Sequence, residues 1–154
     1  MKKGYCNGSD MLLFVGGKAV GHCTTHTASF QSETKDHAVK PEASVPMKDS
    51  LWKDKTVSGL SYTVKADGLV FYDEKENGFK ALLKLWKTGE PVEIKCLERG
   101  SDTKPYLGGL CVIDSLERTD PAQDDSTYSI SLSNAGAPTV FDESALTEGA
   151  SPAA

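Results

Sequence analysis

The stretch Asn77-Gly78-Phe79-Lys80-Ala81-Leu82-Leu83-Lys84-Leu85-Trp86-Lys87 sets the frame for the rest of this chain. Phe79, Leu82, Leu83 and Trp86 recur at i, i+3, i+4 and i+7, the spacing of a single apolar stripe on an α-helix. Lys80, Lys84 and Lys87 point elsewhere, Gly89 offers a left-handed cap, and Pro91 keeps the helix from resuming. The spacing therefore predicts a helix over residues 77–87. The sequence around it alternates with the period of two that marks strands. One helix closing one face of a β-structure is the expected scaffold.

Working upstream, Val57 to Ala66 alternates with Leu60, Tyr62 and Val64 on one face. Asp67-Gly68 reads as a turn, after which Leu69 to Tyr72 pairs with or extends that strand. Met11 to Val15 reads as a first strand turning at Gly16-Gly17, and Ala19 to Ser32 as a long second one rich in Thr and Ser. Downstream, strands are expected at Pro91–Arg99 and Leu107–Arg118, with a turn over Gly100–Lys104 between them. An acidic turn, Asp120 to Asp125, leads into the most regular strand. There Tyr128, Ile130 and Leu132 face inward while Thr127, Ser129, Ser131 and Ser133 face out.

Two segments break this pattern. Residues 33–56 mix charges, Pro41 and Pro46 with scattered apolar side chains: Val39, Val45, Met47, Leu51 and Trp52. A connection of this length is uncommon unless it works as an arm or binding loop. Trp52 then either anchors a partner or folds back on its own core. Residues 137–154 are rich in Ala, Ser, Thr, Glu and Pro, and bury too little to order themselves. The expected organisation is one domain over 1–136, with the arm at 33–56, and a flexible or partner-docking tail over 137–154.

A chain of 154 residues suffices for one domain with a real core. Net charge is −5, and its distribution is uneven. Residues 1–100 carry 15 Lys/Arg against 13 Asp/Glu, whereas residues 101–154 carry 2 against 9. Blanket binding to nucleic-acid phosphates needs concentrated Lys and Arg, so it is not expected. No stretch approaches the roughly 20 apolar residues of a membrane span, and the run Met11–Val15 is too short for a secretory signal. Cys6, Cys23, Cys96 and Cys111 lack the spacing of a zinc knuckle or a redox pair. Cys96 and Cys111, in strand patterns, read as small buried hydrophobes.

No segment assembles a catalytic constellation, and no cofactor or metal is expected. His22 and His26 share a strand face about 13 Å apart at roughly 3.3 Å per residue, too far for one ion. Asp120, Asp124 and Asp125 lack the ligand spacing and closing Glu of a calcium loop. Gly16-Gly17-Lys18 lacks the rest of a phosphate loop, and no Ser stands in a nucleophile elbow. An enzyme is the least supported reading.

Three local patterns carry a family resemblance. They are Phe30-Gln31-Ser32-Glu33-Thr34-Lys35-Asp36; Trp52 followed by Val57-Ser58-Gly59-Leu60-Ser61-Tyr62-Thr63-Val64-Lys65-Ala66-Asp67-Gly68; and Ser126-Thr127-Tyr128-Ser129-Ile130-Ser131-Leu132-Ser133-Asn134-Ala135-Gly136. With the order of strand pair, arm, strand pair, helix and three strands, the chain resembles the major tail tube proteins of long-tailed, siphovirus-type bacteriophages. The resemblance spans about Ser9 to Pro138 and rests on diffuse β-patterns.

What it implies is a mainly β fold, a β-sandwich or half-barrel with one flanking α-helix and a long extended arm. It further implies self-assembly into stacked, hexameric rings forming a channel through which double-stranded DNA passes without specific binding. Tape-measure and other tail proteins would be partners, and the protein would be made in the host bacterial cytoplasm and reside in the virion tail without a membrane anchor. The arm residues Val39, Val45, Met47, Leu51 and Trp52 would reach a neighbouring subunit. Glu98, Asp114 and Glu117 would join Ser/Thr-rich strand faces in a lumen to which a polyanion does not stick. Some relatives append an immunoglobulin-like domain, for which this chain has no room. Two alternatives remain: a tube subunit of a contractile, secretion-type apparatus, and a monomeric ligand-binding β-sandwich with Trp52 and Tyr106 as its platform.

Overall fold

The structure, a computed structural model, describes residues 4–37, 52, 54–72, 75–99 and 104–142. After a single 3-10 turn (Gly8–Asp10) come β1 (Met11–Val15), β2 (Lys18–Ala19), β3 (Cys23–His37) and β4 (Asp54–Leu69). The helix α1 (Phe79–Thr88) follows, then β5 (Val92–Glu98), β6 (Pro105–Thr119), β7 (Thr127–Asn134) and β8 (Val140–Phe141). The strands share one hydrogen-bonded path, β2-β1-β5-β6-β7-β4-β3, with β8 added on β6. The expected mainly β class with one helix is what the chain adopts, its strands linked in a single antiparallel sheet.

The core follows from strand alternation. Tyr128, Ile130 and Leu132 are buried on β7, facing Gly68, Ala66 and Val64 across β4. On β5, Ile94 and Cys96 are buried between Val15 and Leu13 of β1 and Gly109 and Leu107 of β6. Each large side chain so buried contributes roughly 1.5–3 kcal/mol of hydrophobic stabilisation, which is why period-two segments hold a sheet together. The helix packs on β6, with Leu82 fully buried. The Arg118 guanidinium lies 5.3 Å from the Phe79 ring centroid, a cation–π contact that fixes the first turn. Trp86, expected within the apolar stripe, is 49% exposed.

Both helix ends have identifiable causes. Gly89 adopts φ 68° as the left-handed cap, its N–H reaching Trp86 O at 3.2 Å. The start moves from Asn77 to Phe79 because Asn77 is committed elsewhere. Its buried side-chain amide donates to Val15 O and, at 2.9 Å, to Lys18 O. Its N–H donates to Ala19 O at 2.9 Å, and its carbonyl accepts from Gly21 N at 3.0 Å. One asparagine thereby satisfies four backbone groups that burial would otherwise orphan.

Three expectations change. The second strand does not run unbroken from Ala19, because Val20 to His22 turns aside with His22 at φ 48°. That turn is held by the bridge from Val20 to Asn77 and by the Tyr128 hydroxyl donating to Gly21 O. Asp67-Gly68 is not a turn: β4 passes straight through it, and Gly68 is required because the Tyr128 ring lies 2.6 Å from where its Cβ would stand. Val140 and Phe141, assigned to the tail, form β8 against Gly108 and Leu107. Gly108 leaves the space that Val140 fills, and Thr139 N donates to Gly108 O at 2.8 Å.

The arm also has different bounds. β3 continues to His37 and β4 begins at Asp54, so residues 33–37 and 54–56 are strand. Their side chains are solvated on both faces, so no apolar alternation advertises them. The chain divides into two compact units, Ser29–Tyr62 and the remainder. Within Ser29–Tyr62, Ser58 Oγ donates to Glu33 O at 3.2 Å, His37 Nε2 meets Thr56 Oγ1 at 2.9 Å, and Lys55 pairs with Asp36 at 3.8 Å. Val39, Val45, Met47 and Leu51 lie outside the described residues, as do residues 100–103 and 143–154.

Candidate self-assembly surfaces

One surface is built by the outward positions of β4, β7 and β6. Cross-strand partners stand on the same face, so three rows follow from register: Asp67–Ser129–Glu117, Lys65–Ser131–Ser115 and Thr63–Ser133–Val112. Asp114 is the extra residue of a bulge in β6 between Ile113 and Ser115. Bulges re-aim side chains, and Asp114 accepts a hydrogen bond from Ser133 Oγ. Ser129 Oγ likewise donates to Asp67 Oδ1. The face thus carries three carboxylates, Asp67, Asp114 and Glu117, against one lysine, Lys65, on a ground of serine hydroxyls.

Glu98 does not belong to this face. It is only 3% exposed, sharing the inward parity of Ile94 and Cys96 on β5. Its place among the acids is taken by Asp67, hidden in the sequence by the turn-like Asp67-Gly68 pair. The available signal was that Tyr62, Val64, Ala66 and Gly68 keep one parity, leaving Thr63, Lys65 and Asp67 outward.

A second surface lies within Ser29–Tyr62. Tyr62 is buried, with its ring centroid 6.4 Å from that of Phe30. Phe30, Val57 and Leu60 are exposed, and Trp52 is 88% exposed. Trp52 therefore does not fold back on its own core. Leu60, placed on one face with Tyr62 and Val64, is 77% exposed. Sequence parity missed this because the residue's burial depends on what covers that face, not on its own type. The other half of the supposed platform, Tyr106, is half-buried with its hydroxyl engaged by the Cys96 thiol.

The third feature is the sheet's ends. β2 ends the path with two residues, while β3 ends the other side with fifteen. A long edge strand presents a row of backbone N–H and C=O groups that another chain can pair.

Burial pushes the Cys96 thiol up to about 12, so it is no nucleophile. His22 stacks on Phe71 at 4.5 Å. Among the described residues no three His, Cys, Asp or Glu side chains are grouped to hold a metal ion, and no helix is long and apolar enough to cross a membrane. His26 has its pKa lowered from 6.5 by burial. The native state then binds fewer protons than the unfolded one, so stability is full above 6.5 and falls as pH drops through that value toward the lowered one. Asp120 is held below 3.8 by the Ser126 hydroxyl and by Arg118, so its contribution is present above 3.8 and lost as pH falls through the folded value. H26Q is expected to flatten the fall of Tm in the window just below pH 6.5, leaving the more acidic loss intact. An unchanged thermal-melt series would remove His26 from the account.

The described residues form a single antiparallel sheet with one helix, ended on one side by the long edge strand β3. The chain matches the phage tail tube protein family over residues 5–140 and belongs to it. Solved structures share its fold. The tail of an empty gene transfer agent particle, computed with helical refinement in C6 symmetry, superposes with a TM-score of 0.71 at 17% identity, covering 89% of this chain and 99% of that one. The virion of a native gene transfer agent particle gives 0.67 at 18% identity, covering 87% and 97%. The sheath-tube complex of an extracellular contractile injection system in its extended state gives 0.51 at 14% identity, covering 80% and 82%. No curated protein matches significantly.

Proposed function

We propose that this chain is the tube-forming subunit of a phage or phage-like tail, assembling into stacked rings of six around a channel for double-stranded DNA. Membership of the tail tube family supports the role, and the C6 symmetry of the similar gene transfer agent tail supports the ring order. The observation that carries the reading is the fifteen-residue edge strand β3, which has β4 on one side and no second neighbour among the described residues. A strand of an adjoining copy completes it. The exposed apolar side chains Phe30, Trp52, Val57 and Leu60 are buried in the same assembly.

The face bearing Asp67, Asp114 and Glu117 among serines turns to the channel. Carboxylates repel the phosphate backbone, and short hydroxyls present no aromatic platform for bases to stack on. DNA then slides without being held. The role is structural, without catalysis or cofactor; tape-measure and other tail proteins are the further partners, and the assembled protein resides in the virion tail after synthesis in the host cytoplasm.

Negative-stain microscopy and sedimentation of the concentrated protein test this. Rings or tubes of constant width are expected. A species that remains monomeric across the whole concentration range, with β3 protected from hydrogen exchange, would overturn the proposal.

A further inference from the structure

The sheet treats its exposed edges unequally. β3 is long and open, whereas β2 and β8 are two residues each. β8 lies on β6 beside Leu107 and Gly108, next to where β7 pairs β6 from Cys111 onward. It is fastened by backbone groups: Thr139 N to Gly108 O at 2.8 Å and Asp142 N to Tyr106 O at 2.9 Å, with Thr139 Oγ1 to Gly108 O at 3.1 Å. Its side chains are only partly covered, Val140 being 38% and Phe141 55% exposed. What its backbone bonds do is pair edge groups of β6 that would otherwise lie open.

Those groups form the edge of β6 from Tyr106 to Gly108, flanked by exposed Leu110. Uncovered, they would offer a second pairing edge beside β7. The flanking residues fit a blunt end: Pro138, which has no N–H, precedes β8, and charged Asp142 follows it. Short length, proline and charge are the devices by which an edge avoids templating another strand.

We propose that β8 is an edge cap that keeps Tyr106–Gly108 of β6 from pairing with β3 of a second copy, so that β3 is left for the contact that builds the ring. This rests on the self-assembly reading above. With the cap in place, these β6 groups are already paired and cannot accept a neighbour's β3. With the cap lifted, Tyr106–Gly108 competes for it, and growth loses its single direction.

The test is Thr139→Pro in the full chain, which removes the N–H and the hydroxyl together, with T139A as the variant that keeps the N–H. T139P should give a several-fold rise in thioflavin-positive, irregular sedimentable material at concentrations where the parent stays dispersed or forms regular rings, while T139A behaves as the parent. Sedimentation and micrographs of T139P indistinguishable from those of the parent would overturn the cap. Should T139P fail to fold by circular dichroism, Asp142→Pro, which removes the other donor, is read by the same two outcomes. Parent protein that never assembles would instead remove the tube reading, independently of how T139P behaves.

Discussion

Tyr128→Ala should destabilise the fold by about 3–5 kcal/mol, the range for losing a large buried aromatic, which is a large share of the 5–15 kcal/mol that holds a typical domain. The ring is 1% exposed in the centre of β7 and lies over Gly68, so no side chain of β4 is available to collapse into the space. Its hydroxyl donates to Gly21 O, fixing the turn that separates β2 from β3. Tyr128→Phe removes the hydroxyl that makes that bond while keeping the ring, and should cost about 1 kcal/mol, more if Gly21 O is left dry. Urea titrations with constant slope measure both values. A loss below about 1 kcal/mol for Y128A would mean the ring does not organise this core.

Leu60→Asp should abolish assembly while leaving the subunit folded. Leu60 is 77% exposed, and substitutions at such positions usually change stability by no more than about 0.5 kcal/mol. In the proposed tube the same side chain is buried between copies, where an unpaired carboxylate carries a desolvation penalty of several kcal/mol. The penalty recurs at every subunit contact, so the assembled state loses it many times over. Trp52→Ala is the gentler companion, since truncating an aromatic anchor typically costs about 2 kcal/mol or more at an interface. Sedimentation velocity reads assembly, and a thermal melt reads the fold. L60D forming tubes at the parent's concentration would show that this surface faces solvent in the tube.

Much of the fold was legible because local pattern and global packing agree. The lysine-flanked stripe ending at Gly89 gives α1, and the alternation from Thr127 to Ser133 gives β7 with its inward and outward faces. Where the reading failed, a residue's local signal competed with a distant partner. Gly68 looks like a turn residue, yet it is a flat place for the Tyr128 ring, sixty positions later. Asn77 has a tolerable place at a helix start, yet the β1–β2 turn claims its amide. The charged ends of β3 and β4 show no apolar period because both their faces are wet, although their backbones still pair.

The candidate surfaces divide along the same line. Trp52 was legible as an apolar side chain in a charged setting, while the face of Asp114 and Glu117 came only with the register of β6 on β7. Glu98 shares the parity of Val92, Ile94 and Cys96, so its inward place was present in the strand pattern and was passed over. Asp67 was missed with Gly68.

The order of residues alone settled the class of architecture, the single helix and the alternation of the strands, since period, caps and breakers act within a few neighbours along the chain. Which carboxylates share a face, which edge stays open and where β8 lies were decided by pairings between residues far apart in sequence. Register is a property of two strands at once, and no one-dimensional pattern in either strand contains it.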